Sequence, residues 1–160
     1  MQIFIMRHGQ AEQVAQTDQQ RELTAQGFIE VQAIAQFMKD SGVVFEQIFV
    51  SPFVRAQQTA NTMVRIHEYS DDCTTLPFIT PSGSAKELHD YLDGFCSDKQ
   101  LSNILIVSHM PLVSYVVAEL TNDHQSPIFQ TAAIAEIDYD LEKMQGNLVQ
   151  VISPSELKSA

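Results

Sequence analysis

The segment NILIVSH, residues 103–109, constrains this chain more than any other stretch. Four consecutive aliphatic residues, Ile104 to Val107, give it no polar face. It reads as a fully buried strand, and such strands sit in parallel sheets covered on both sides by helices. The other parts follow in alternation. QIFIM (2–6) and QIFVS (47–51) read as buried strands, and TTLPF (74–78) as a short third one. After the first, Phe28, Val31, Ile34, Ala35 and Met38 recur at helical spacing, with Thr24 as N-cap and Gly42 as stop. After the second, SPFVRAQQTANTMVRIH predicts a helix capped by Ser51 with Pro52 at its first position. A third helix is expected from Ala85 to about Phe95, and a fourth after His109 with Pro111 at its start. AAIAEIDYD and NLVQVIS close the chain as two strands joined near Gly146. Strand and helix in series predict a single α/β domain, a three-layer sandwich over residues 1–152, with SPSELKSA (153–160) as a polar tail.

Ligands of such sheets bind beyond the carboxyl ends of the strands. Strand one ends in Arg7 and His8, strand two in Ser51 with Arg55 one helical turn on, and strand four in Ser108 and His109. Arg21 lies in the loop after strand one. The chain has only four arginines, Arg7, Arg21, Arg55 and Arg65, against a formal net charge of −11. So acidic a surface excludes nucleic-acid binding through a general basic face. It makes a convergence of three guanidiniums at one sheet edge all the more specific. Two imidazoles among guanidiniums suit a phosphoryl group, whose peripheral oxygens arginine grips with two N–H groups at once. Nearby cations keep a histidine neutral, and a neutral histidine is a nucleophile.

Other chemistries lack their signatures. No pair of histidines has metal-ligand spacing and no glycine-rich nucleotide loop is present, so neither metal nor cofactor is expected. Ser108 has no accompanying pattern of base and orienting carboxylate. His67, His89 and His124 read as ordinary surface or helix-end residues. Cys73 and Cys96 read as reduced thiols. There is no apolar run of the roughly 20 residues a membrane helix needs, and no basic segment leading into an apolar one at the start. A cytoplasmic, monomeric protein is expected.

RHGQAE (7–12), SPFVRAQQTA (51–60) and VSHMPLV (107–113), in that order and with RELT (21–24) between the first two, resemble the blocks of the histidine phosphatase superfamily, the phosphoglycerate mutase-like fold. The short distance from Arg55 to His109 leaves no room for a lid, and in this the chain is most similar to the SixA-type phosphohistidine phosphatases. The resemblance implies that His8 is the nucleophile and becomes phosphorylated. It implies that Arg7, Arg55 and His109 bind and stabilise the transferring group, with Arg21 as a further phosphate ligand. It also implies that Gly9 lets the backbone turn toward the phosphate, its carbonyl orienting the histidine ring. Many superfamily members carry a carboxylic general acid after the third strand; here Phe78 follows it, and Glu87 and Asp90 lie further along a helix. A missing acid handicaps hydrolysis of alkyl phosphate esters but not of phosphohistidine, which leaves as neutral imidazole. The expected substrate is therefore phosphohistidine on a phosphotransfer or phosphocarrier protein. A small-molecule phosphatase or mutase of the same superfamily, or a phosphate-sensing module without turnover, are the competing readings. Gln10 and Glu12 at the rim receive no role.

Overall fold

The structure, a computed structural model, describes residues 1–157. Six strands form one sheet: β1 (Gln2–Arg7), β2 (Gln47–Val50), β3 (Thr74–Thr75), β4 (Asn103–Ser108), β5 (Ile134–Asp140) and β6 (Gln145–Ile152). Their order is β3-β2-β4-β1-β5-β6. The first four are mutually parallel; β5 runs antiparallel to both β1 and β6. The expected architecture is met. β4, the aliphatic run, takes a central place between β1 and β2, where both edges and both faces are covered.

Period-two alternation splits the core into two layers. Ile3 and Ile5 of β1 and Ile104 and Ile106 of β4 face one side, with α3 (Ala85–Cys96) and α4 (Leu112–Leu120). Phe4, Met6, Leu105 and Val107 face the other, with α1 (Ala25–Asp40) and α2 (Val54–His67). Thr24 caps α1 by accepting from the Gly27 amide at 2.9 Å. Gly42, at φ +82°, sits just past its end in the left-handed region.

Four local expectations change. β3 shrinks to two residues: the Leu76 amide still donates to the Val50 carbonyl at 3.0 Å, but Pro77 has no N–H to carry the ladder on. α2 begins at Val54 with Phe53 at its N-cap, so neither Ser51 nor Pro52 plays the part assigned to it. The tail is not simply polar: Ser153 and Pro154 are buried, and Pro154–Leu157 forms a short helix, α5, against α1. The rest of that expected tail, 158–160, lies outside the described residues. His89, finally, is buried rather than superficial. Cys73 and Cys96 are free thiols. Among the described residues no helix is long and apolar enough to cross a membrane.

Candidate active site

The parallel register places Arg7 beside Ser108 at the carboxyl edge of the sheet. Immediately beyond that edge, His8, on the parity of Phe4 and Met6, turns toward the α1/α2 layer. Its amide donates to the Ser108 carbonyl at 3.0 Å. Its Nδ1 lies 2.7 Å from the Gly9 carbonyl. Its Nε2 accepts from Arg55 Nε at 3.2 Å. The two bonds define one tautomer: the proton sits on Nδ1, the only nitrogen facing an acceptor, and Nε2 keeps its lone pair. Burial, reinforced by Arg55, Arg7 and Arg21, pulls the His8 pKa down to about 4, against the weaker pull of the Gly9 carbonyl. The ring is neutral at physiological pH.

His109 follows β4 directly and meets His8 edge-on, with ring centroids 5.1 Å apart. Burial is again the main cause of its low pKa, about 3, with His8 and Arg55 adding to it. Its Nε2 lies 2.7 Å from Ser51 Oγ, while its buried Nδ1 has no partner among the described residues. Phe53 packs on this ring and also lies under the Arg55 guanidinium, at 5.1 Å from its centroid.

Arg55 is the second residue of α2. Only 4% of its side chain is exposed, and burial lowers its pKa somewhat while Asp18 offsets the effect. Arg7 donates from Nη1 to the Phe129 carbonyl at 2.8 Å, and its Nε is buried without a partner among the described residues. Arg21 donates from Nε to the Glu12 carbonyl and from Nη1 to Asp18. Of the four arginines, the three expected ones converge; Arg65 is exposed elsewhere on α2.

Two assignments need correction or addition. Gly9 does not supply a turn, since its φ is ordinary, and its amide donates to Thr59 Oγ1 at 3.1 Å instead of facing the pocket. A side chain is forbidden there for another reason: a Cβ would lie 2.7 Å from the Gly27 carbonyl at the start of α1. Gly9 therefore lets the strand end pack tightly against the helix.

Asp18 is the addition. The loop after β1 closes through a bridge between Ala11 and Leu23 and carries a short 3-10 turn, Asp18–Gln20. From it, the Asp18 carbonyl accepts from Arg55 Nη1 at 2.7 Å and its carboxylate from Arg55 Nη2 at 3.1 Å and Arg21 Nη1 at 2.9 Å. Arg21 first, then Arg55, hold this carboxyl below the usual range. An ionised side chain has no proton to give, so Asp18 does not fill the vacant general-acid role. Glu87 and Asp90 are exposed on α3.

Residues 3–76 match the family model described as histidine phosphatase superfamily, branch 1. Phosphohistidine phosphatase SixA of Escherichia coli K12 is 38% identical over 160 residues, covering 100% of this chain and 98% of that protein. The SixA homolog of Haemophilus influenzae is 37% identical over 152 residues, 91% of this chain and 92% of that protein. A solved structure of the protein histidine phosphatase SixA complexed with tungstate superimposes with a TM-score of 0.94 at 37% identity, covering 98% of this chain and 99% of that one.

Proposed function

We propose, from the fact that this chain belongs to the histidine phosphatase superfamily, that it is a hydrolase removing phosphate from phosphohistidine on a partner protein. One observation carries the mechanism: a buried neutral imidazole, with its Nε2 lone pair held among three guanidiniums. In the unliganded site that lone pair rests on Arg55 Nε–H. A bound phosphoryl group takes over the guanidinium donors and frees Nε2 for in-line attack on phosphorus. Tungstate, the tetrahedral oxyanion in the related structure, is an analogue of the group we place here.

The proton balance follows from the tautomer. His8 attacks through Nε2 while Nδ1–H stays on the Gly9 carbonyl. The P–N bond to the substrate breaks, and the departing ring, protonated on its other nitrogen, leaves as neutral imidazole. Phospho-His8 is then itself a protonated phosphoimidazole. Water attacks its phosphorus, the P–N bond breaks again, and His8 returns neutral with its proton still on Nδ1. The water's proton passes to phosphate or solvent. No step requires protonating a poor leaving group, so the lack of a carboxylic acid at Phe78 is no handicap. Arg7, Arg21 and Arg55, with His109, hold the phosphoryl oxygens as charge redistributes.

The test is release of inorganic phosphate from a phosphohistidine-bearing phosphotransfer protein, with chelator present, by wild type and His8→Ala. Turnover that survives chelation and disappears in the variant is expected. Wild-type turnover of small phosphate esters without any of the phosphoprotein would overturn the substrate assignment. Undiminished turnover by His8→Ala would overturn the nucleophile.

A further inference from the structure

Ser51 ends β2, and its side chain has no exposure to solvent. Its hydroxyl oxygen accepts from the Phe53 amide at 3.2 Å and lies 2.7 Å from His109 Nε2. His109 is 1% exposed. Two proton arrangements are conceivable for this pair. If His109 carried its proton on Nε2, that N–H would donate to the serine oxygen, and the serine's own proton would be buried with no acceptor among the described residues. If the serine hydroxyl donates to Nε2, both sides of the Ser51–His109 contact are satisfied and only His109 Nδ1 stays open among the described residues. The first arrangement leaves two buried groups open, the serine proton and the bare Nδ1, and the second leaves only Nδ1–H; one unmade buried group costs about 1–3 kcal/mol, enough to select the second arrangement. The ring is neutral, so its single proton then resides on Nδ1.

Of the two ring nitrogens, that one is left buried without a partner among the described residues. On it, an N–H is a donor awaiting an oxygen; a lone pair would repel the anionic phosphoryl group. We propose that Ser51 is a positioning residue that fixes the His109 tautomer, so that Nδ1–H is presented to a phosphoryl oxygen while Nε2 is tied back to the sheet edge. This rests on the phosphoryl-transfer reading of the site. The two histidines then share a proton placement, on Nδ1, but use opposite nitrogens: His8 reacts through its bare Nε2, and His109 donates through its protonated Nδ1. In each ring the far nitrogen is fixed by a fixed neighbour, the Gly9 carbonyl for one and the Ser51 hydroxyl for the other.

The experiment reads the His109 ring nitrogens by long-range proton–nitrogen NMR in wild type, Ser51→Ala and Ser51→Thr, alongside tungstate affinity and turnover of the phosphoprotein. Wild type should show His109 protonated on Nδ1 and bare on Nε2. Ser51→Ala should lose that pure pattern, bind tungstate more weakly, and lower kcat by about 10²-fold, the cost of one misdirected donor at a developing charge. Ser51→Thr, which keeps the hydroxyl, should restore the ring pattern and most of the activity. A wild-type His109 protonated on Nε2 would overturn the proposal, whatever the variants do. So would a Ser51→Ala protein whose ring pattern and tungstate affinity match wild type. The NMR and tungstate measurements need no phosphoprotein, so failure of the substrate assignment would leave them readable.

Discussion

At the carboxyl edge of the sheet, two histidines lie among three guanidiniums. At the opposite edge, beside Met1, a third histidine lies among acids. His89 of α3 has Nδ1 3.0 Å from Glu119 of α4 and Nε2 2.8 Å from the Tyr139 hydroxyl at the end of β5. Asp93, one turn along α3, accepts from Tyr139 at 2.6 Å and lies 3.2 Å from the same Nε2. Both ring nitrogens of His89 face acceptor oxygens, and the cluster ties two helices to a strand. The reactive pair differs: the His8 lone pair rests on a guanidinium that a ligand can claim, and one His109 nitrogen has no partner among the described residues. A structural site satisfies its polar groups, whereas a reactive one leaves some of them open for the substrate.

The sharpest test of that contrast exchanges the losses. Arg55→Ala removes the guanidinium that touches His8 and should lower kcat by about 10³-fold, in the range of arginines that meet a transferring phosphoryl group. His89→Ala should leave kcat unchanged and cost about 1–3 kcal/mol of stability, because Tyr139, Asp93 and Glu119 lose a shared partner. Phosphate release and urea unfolding on both variants check it. A large kcat loss in His89→Ala would show the two ends to be coupled and break the comparison.

The acid limb of stability offers the next test. The folded pKa of His8, about 4, lies below its ordinary value of 6.5. As pH falls below about 6.5 the unfolded chain takes up a proton that the folded ring refuses. Stability contributed by the neutral ring is therefore intact above pH 6.5, declines through the window down to about 4, and is lost below it. The full window corresponds to on the order of 3 kcal/mol. Wild type should lose more stability between pH 7 and pH 4.5 than His8→Gln does, as measured by urea unfolding at both values. Equal losses would show that the ring is not held neutral by its surroundings.

The three strand ends that build the site were legible because each is a chemistry-bearing pair appended to an aliphatic run: Arg7–His8, Ser51 with Arg55, Ser108–His109. The longest aliphatic run, β4, also takes a central place in the sheet. What escaped had no pattern to carry it. Asp18 is one polar residue in a glutamine-rich loop, and nothing in its spacing says that the loop folds back onto α2. Ser51 reads as a helix cap because serine before proline commonly is one; only its distance to His109 shows its hydroxyl engaged elsewhere. His89 follows the buried Leu88 on α3, and its polar closure depends on Glu119 of α4 and the Tyr139 hydroxyl of β5, both distant in sequence. Gly9 was expected to turn the backbone toward the phosphate, whereas its need for glycine comes from 18 residues away, in the Gly27 carbonyl.

Asp18 also places the smallest expected effect. Its carboxylate occupies Arg55 Nη2 and Arg21 Nη1, donors that an incoming phosphoryl group would use, and its side chain is 54% exposed. It is a carboxylate among cations, the inverse of His89 among acids, yet unlike that cluster it stands where a ligand must displace it. Exposed pairs of this kind are worth about 0.2–1 kcal/mol. Asp18→Asn keeps the backbone carbonyl that holds Arg55 Nη1 and removes only the competing charge. Tungstate and inorganic phosphate should then bind up to about fivefold more tightly, as read by calorimetry, because the guanidiniums no longer surrender an ionic partner. Weaker binding instead would mean that the carboxylate's main effect is to aim Arg55 at the pocket. The reactive edge would then depend on a fixed acid just as the structural edge does.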